Sequence, residues 1–221
     1  IGGIIMQITI REPGSAITHF IGMMLAVFAS VPLLVKSGIG AGGASFAAMG
    51  IFMLSMILLY GASTAYHTAD VSPKALQIFR KVDHMMIFVM IAGSYTPVCL
   101  IVLGGSTGKL LLSLVWGIAL LGMVINLLWI NCPKWFSSLI YIALGWVCVL
   151  VFGQLYEVLS TGAFCWLLAG GIVYTIGGVV YALKLPLFNK RHANFGSHEI
   201  FHLFVLGGSI CHFIFMYGYV A

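Results

Sequence analysis

Seven stretches of about 20 residues, each nearly free of charge, constrain what this chain can fold into. They run Ile17 to Val35, Ser45 to Tyr66, His84 to Leu103, Leu110 to Ile130, Phe136 to Tyr156, Phe164 to Leu183 and Glu199 to Val220. A helix needs roughly 20 residues to cross a hydrocarbon layer about 30 Å thick. The runs are continuously apolar rather than alternating, which selects helices over the strands of a membrane barrel. Only 7% of the 221 residues are charged while 62% are hydrophobic, so too few charges exist to cover a water-facing surface. The sequence therefore predicts one all-α integral membrane domain over residues 1–221 with seven transmembrane helices. Ile1 to Ile5 read as a remnant ahead of a natural start at Met6, and no cleavable signal peptide is expected.

Between the runs lie breaker stretches: Ser37 to Gly43, Gly104 to Gly108, Asn131-Cys132-Pro133-Lys134 and Lys184-Leu185-Pro186. No internal repeat is visible, which gives no support to an inverted-repeat transporter. Arg11, Lys74, Arg80, Lys81, Lys134, Lys184, Lys190 and Arg191 fall on one side of the predicted spans, and Lys36 and Lys109 on the other. Positive loops are retained inside, so the N-terminus is expected to be cytoplasmic and the C-terminus outside, opposite to G-protein-coupled receptors. The net charge of +5 is explained by this retention signal and by anionic inner-leaflet lipid, and does not indicate nucleic acid. Cys99, Cys132, Cys148, Cys165 and Cys211 have no paired spacing and read as small apolar residues.

Ionisable groups inside a bilayer are costly unless they pair, meet water or bind an ion, so each marks a candidate functional site. By the charge-derived topology, His67 closes the second span, Asp83 and His84 open the third, and His198 and His202 open the seventh, all near the cytoplasmic face. His198 and His202 are four apart, hence on one helix face and able to reach a single ion, with His67 as a third nitrogen. Three nitrogens with one open position is the composition of a catalytic zinc site. Asp83 is placed to hold water or act as general base. Ser63, one turn before His67, is placed to donate to an oxyanion. The alternative for each histidine is an interfacial, solvated ring. His19 could join the same cavity. His212 lies fourteen residues beyond His198, roughly 21 Å along a helix, and reads as structural, while His192 reads as a solvated loop residue. His198-Glu199-Ile200-Phe201-His202 also spells H-E-x-x-H, the helix motif of zinc metalloproteases; Glu199 fits equally as a solvated charge at a helix start.

Three ordered blocks carry a resemblance: Ser63-Thr64-Ala65-Tyr66-His67-Thr68, Lys81-Val82-Asp83-His84 with Gly93-Ser94-Tyr95-Thr96-Pro97, and the H-E-x-x-H segment. Together they resemble the hemolysin III family, bacterial relatives of the progestin and adiponectin receptors in a superfamily of seven-span metal-dependent hydrolases that includes alkaline ceramidases. The resemblance runs from Arg11-Glu12-Pro13 to the last span. It implies zinc held by His67, His198 and His202, Asp83 contacting zinc-bound water, Ser63 behind the ligands, and residence in the bacterial cytoplasmic membrane. His84 departs from the adiponectin-receptor pattern, which has an aromatic residue there, and no counterpart of those receptors' long N-terminal region is expected.

The leading functional expectation is a zinc-dependent hydrolase of a lipid amide or ester, with membrane lipid as its surroundings and substrate. Alternatives are a membrane-permeabilising hemolysin, a membrane-homeostasis factor with structural zinc and, more weakly, a zinc transporter.

Overall fold

The computed structural model describes residues 10–40, 42–129, 131–183 and 195–221. The Met6 start, the Lys184-Leu185-Pro186 break, Lys190, Arg191 and His192 lie outside the described residues. Among the described residues every regular element is helical: α1 (Pro13–Gly40), α2 (Gly42–Thr68), α3 (Pro73–Pro97), α4 (Gly105–Leu128), α5 (Lys134–Gly145), α6 (Phe152–Val158), α7 (Thr161–Leu183) and α8 (Ser197–Phe215). They supply seven helical segments long and apolar enough to cross a membrane, α5 and α6 sharing one of them (Lys134–Val158). Leu110, Leu128 and Leu150 are at least 73% exposed, as side chains facing lipid rather than water would be. All five cysteines are free.

The helices outrun the uncharged stretches, because absence of charge marks the hydrocarbon depth whereas caps mark helix ends. The largest difference is at α3. Ser72 accepts a hydrogen bond from the Ala75 amide at 3.4 Å, and Pro73 occupies the first turn, where its missing N–H costs nothing. The basic stretch Lys74 to Lys81 is therefore helical and not a connection, and Asp83 and His84 sit nearly three turns inside the helix instead of opening it. Lys81 donates to the Leu127 carbonyl at 2.8 Å and Arg80 to Asn131 at 3.3 Å, tying this end to the last turn of α4 and to the turn after it. The glycine-rich stretch from Ser37 likewise stays helical through Gly40, and the chain turns at Gly42 with φ of 79°.

The span expected from Phe136 to Tyr156 is not one regular helix. α5 ends at Gly145, Trp146–Val151 winds into a 3-10 segment, and α6 resumes at Phe152. Tyr95 of α3 causes the break: its hydroxyl donates to the Gly145 carbonyl at 2.6 Å and accepts from the Cys148 amide at 2.9 Å. A side chain inserted in the backbone ladder satisfies the groups it separates and redirects the helix.

Packing closes the helices into a ring. α2 lies between α1 and α3, α3 against α4, α5 against α7, and α7 against α8, which returns to α1. Phe52, Met49, Met53 and Leu33 form fully buried centres of the core on the α1 and α2 side. α2 and α3 meet closely at Gly93, where an added Cβ would stand 2.3 Å from Ser55 Oγ. Tyr95→Phe removes the hydroxyl that satisfies two backbone groups; it is expected to cost about 1–3 kcal/mol, read as a lower thermal midpoint of the detergent-solubilised protein.

Candidate metal centre

The C-terminal turn of α2 carries Ser63 and His67 at i and i+4, so both face the same way. The first turns of α8 carry His198 and His202 in the same relation. Because α8 packs back against α1 beside α2, the two faces meet, and one ligand-type atom from each of His67, His198 and His202 lies within 4.8 Å of the others. His67 and His202 are 1% and 2% exposed, so these imidazoles are withdrawn from solvent. His67 Nε2 and His198 Nε2 are 3.3 Å apart. That is the spacing of two nitrogens each about 2.0–2.1 Å from a shared tetrahedral ion. Three neutral imidazoles suit zinc and other first-row divalent cations better than calcium or magnesium, which prefer oxygen. The donor set fits such a metal.

Asp83 and Ser63 line a cavity of about 150 Å³ whose wall also includes His198, His202, His19 and His84. Asp83 is 8% and Ser63 1% exposed, and the Ser63 hydroxyl faces the Asp83 carboxyl. The cavity reaches inward to His212, where a smaller one of about 60 Å³ shares Ser94, Tyr95 and Trp146 with it. His19 stacks on His202 with ring centroids 3.6 Å apart and planes 9° from parallel, so it belongs to the site's surroundings. His212 is remote from the cluster. Its ring nitrogens meet no partner within hydrogen-bonding geometry among the described residues, although the Leu167 backbone lies close. Its ring fits only because residue 170 is glycine: a Cβ there would stand 2.1 Å from His212 Cδ2.

Glu199 does not point at the three histidines as a metalloprotease base would. Its Oε2 accepts the Gly196 amide at 2.7 Å, and its Oε1 accepts the Ser15 hydroxyl at 2.6 Å. The carboxylate caps the N-terminus of α8, where its charge also suits the helix dipole.

The residue that sequence reasoning missed is Glu12. Its carboxylate is hydrogen-bonded to His67 Nδ1, and its backbone N–H donates to the His67 carbonyl at 3.0 Å. The hydrogen bond from His67, outweighing the opposing cost of half-burial, holds the Glu12 carboxyl below its usual range. Arg11 donates to the Tyr66 carbonyl at 2.9 Å and lies over the Tyr66 ring, so the two residues before α1 satisfy carbonyls at the end of α2. The available signal was a carboxylate next to the start of the first span, at the histidine-bearing end of the chain's topology.

The sequence profile described as haemolysin-III related matches residues 7–213. Hemolysin-3 of Bacillus cereus is 36% identical over 97% of this chain and 94% of its own length. The hemolysin-3 homolog of Bacillus subtilis is also 36% identical, over 93% and 92%. An adiponectin receptor protein of Drosophila melanogaster is 23% identical over 91% of this chain but only 49% of the receptor.

If Glu199 is a helix cap and not a reacting group, Glu199→Ala lowers the thermal midpoint by the equivalent of about 1–2 kcal/mol. Metal content per chain, measured by mass spectrometry, should equal that of the unaltered protein.

Proposed function

Since this chain belongs to the haemolysin-III-related family of multi-pass membrane proteins, we propose that it is a zinc-dependent hydrolase of a lipid amide or ester, acting at the cytoplasmic face of the bacterial plasma membrane. One observation carries the reading: three imidazole nitrogens converge beside a cavity whose wall holds Asp83 and Ser63. Burying that many polar side chains in a bilayer is expensive for a purely structural end.

His67, His198 and His202 would hold the ion. When bound, it supplies Lewis acidity, polarising a carbonyl and acidifying water. Asp83 would orient the attacking water and take its proton. The Ser63 hydroxyl, which faces the Asp83 carboxyl, would hold that carboxylate in place and turn to the carbonyl oxygen once Asp83 has taken the water's proton. The inward extension of the cavity toward His212, lined mostly by apolar side chains such as Ile87, Met90 and Ile91, suits the hydrocarbon part of an amphiphile entering from the lipid.

Protein purified in detergent without a metal-affinity tag is expected to hold about one zinc per chain, lost in His67→Ala and in His198→Ala. Asp83→Asn is expected to keep its metal and lose about 10²–10⁴-fold in kcat on a panel of lipid amides and esters. Full zinc occupancy with no turnover on that panel would overturn the hydrolase reading.

A second reading rests on the name of the Bacillus cereus relative, hemolysin-3, and takes the protein as one that permeabilises membranes. Dye release from liposomes by the purified chain, unchanged in His67→Ala, would favour it over the hydrolase.

A further inference from the structure

A histidine ligates a metal through one ring nitrogen only if the other carries the proton, and a buried acceptor beside that second nitrogen decides which arrangement holds. Two of the three clustered histidines meet such acceptors, one from the residue just before α1 and one from its second turn. Glu12 accepts from His67 Nδ1. Thr18 Oγ1 lies 3.3 Å from His202 Nδ1. The Thr18 hydroxyl proton is directed at its own helix, toward the Ser15 carbonyl at 2.9 Å or that of Gly14 at 3.0 Å. Its oxygen therefore faces His202 as an acceptor, and His202 carries its proton on Nδ1. Both rings are left with Nε2 as the nitrogen that bears a free lone pair. His198 is the contrast: its Nδ1 is buried with no partner among the described residues.

This segment is anchored by hydrogen bonds to both ligand-bearing helices. Arg11 and the Glu12 amide satisfy carbonyls at the end of α2, and Ser15 bonds Glu199 at the start of α8. Glu12, Ser15 and Thr18 are spaced by three residues, so they lie along adjacent turns of one side of the chain as it enters α1 and reach both ligand-bearing helices. His19 closes the row by stacking on His202.

We propose that Glu12 and Thr18 are positioning residues of the metal centre, which fix His67 and His202 in the Nδ1–H tautomer and so present Nε2 of each to the ion. The proposal rests on the metal reading above and adds that the segment Glu12 to Thr18, which contributes no ligand, sets the affinity. The Glu12 carboxylate also makes the His67 ring more basic toward a cation, so Glu12 carries the larger share.

The test is Zn²⁺ affinity of the full-length, detergent-solubilised chain by competition with a chromophoric chelator, with the visible spectrum of the Co²⁺-loaded protein as second readout. Glu12→Ala is expected to weaken Zn²⁺ about 10–100-fold and Thr18→Val by less. Glu12→Asp and Thr18→Ser should recover much of the loss, and Co²⁺ band intensities should change in Glu12→Ala. Thermal melting of the metal-free variants separates positioning from folding. Affinity lost with the metal-free midpoint nearly unchanged supports the proposal; affinity lost only in step with that midpoint, and not recovered by the conservative variants, overturns it. Wild-type affinity in Glu12→Ala and Thr18→Val overturns it while leaving the metal reading intact. Failure of the unaltered chain to bind either cation overturns both.

Discussion

The site depends on where the chain enters its first helix. Arg11 and the Glu12 amide cap the carbonyls at the end of α2, and Ser15 bonds the carboxylate that caps the start of α8. Helix ends leave backbone groups unsatisfied, and next to a bilayer such groups are costly. Mutual capping among α1, α2 and α8 meets that cost and brings His67 to His198 and His202. The same short segment joins the ring of helices where its last member returns to its first.

Backbone satisfaction also shapes the opposite wall of the cavity. Tyr95 enters the hydrogen-bond ladder between α5 and α6, and the helix tightens into a 3-10 stretch from Trp146. Tyr95, Gly145 and Trp146 then line the inner part of the cavity. Trp146 is steadied by donating to Thr175 of α7 at 2.8 Å. Val149 and Leu150 of the same stretch face outward, and the Tyr95 hydroxyl meets two of the backbone groups that the irregularity would otherwise leave open.

Much of this was legible in the residues, though unevenly. Seven spans follow from apolar run length, and the depth-matching of His67, His198 and His202 follows from the topology those runs impose. The start of α3 was not legible, because charge between Lys74 and Lys81 resembles a loop while Ser72 and Pro73 begin a helix. The H-E-x-x-H segment was legible as a motif but not in its role: Glu199 points to Gly196 and Ser15, a choice made by a helix cap and a neighbouring helix. Glu12 was overlooked because its partner lies 55 residues away on another helix.

Hydrocarbon thickness and the cost of buried charge act on local runs of residues, so the order of residues alone dictates an all-helical membrane protein with histidines gathered toward one end. Tertiary structure decided which nitrogens converge, which carboxylate backs His67, and which polar side chains reach the cavity. Those outcomes depend on how helices rotate and dock against one another. Contacts between residues as far apart as Ser15 and Glu199 settle that rotation, and no local pattern encodes them.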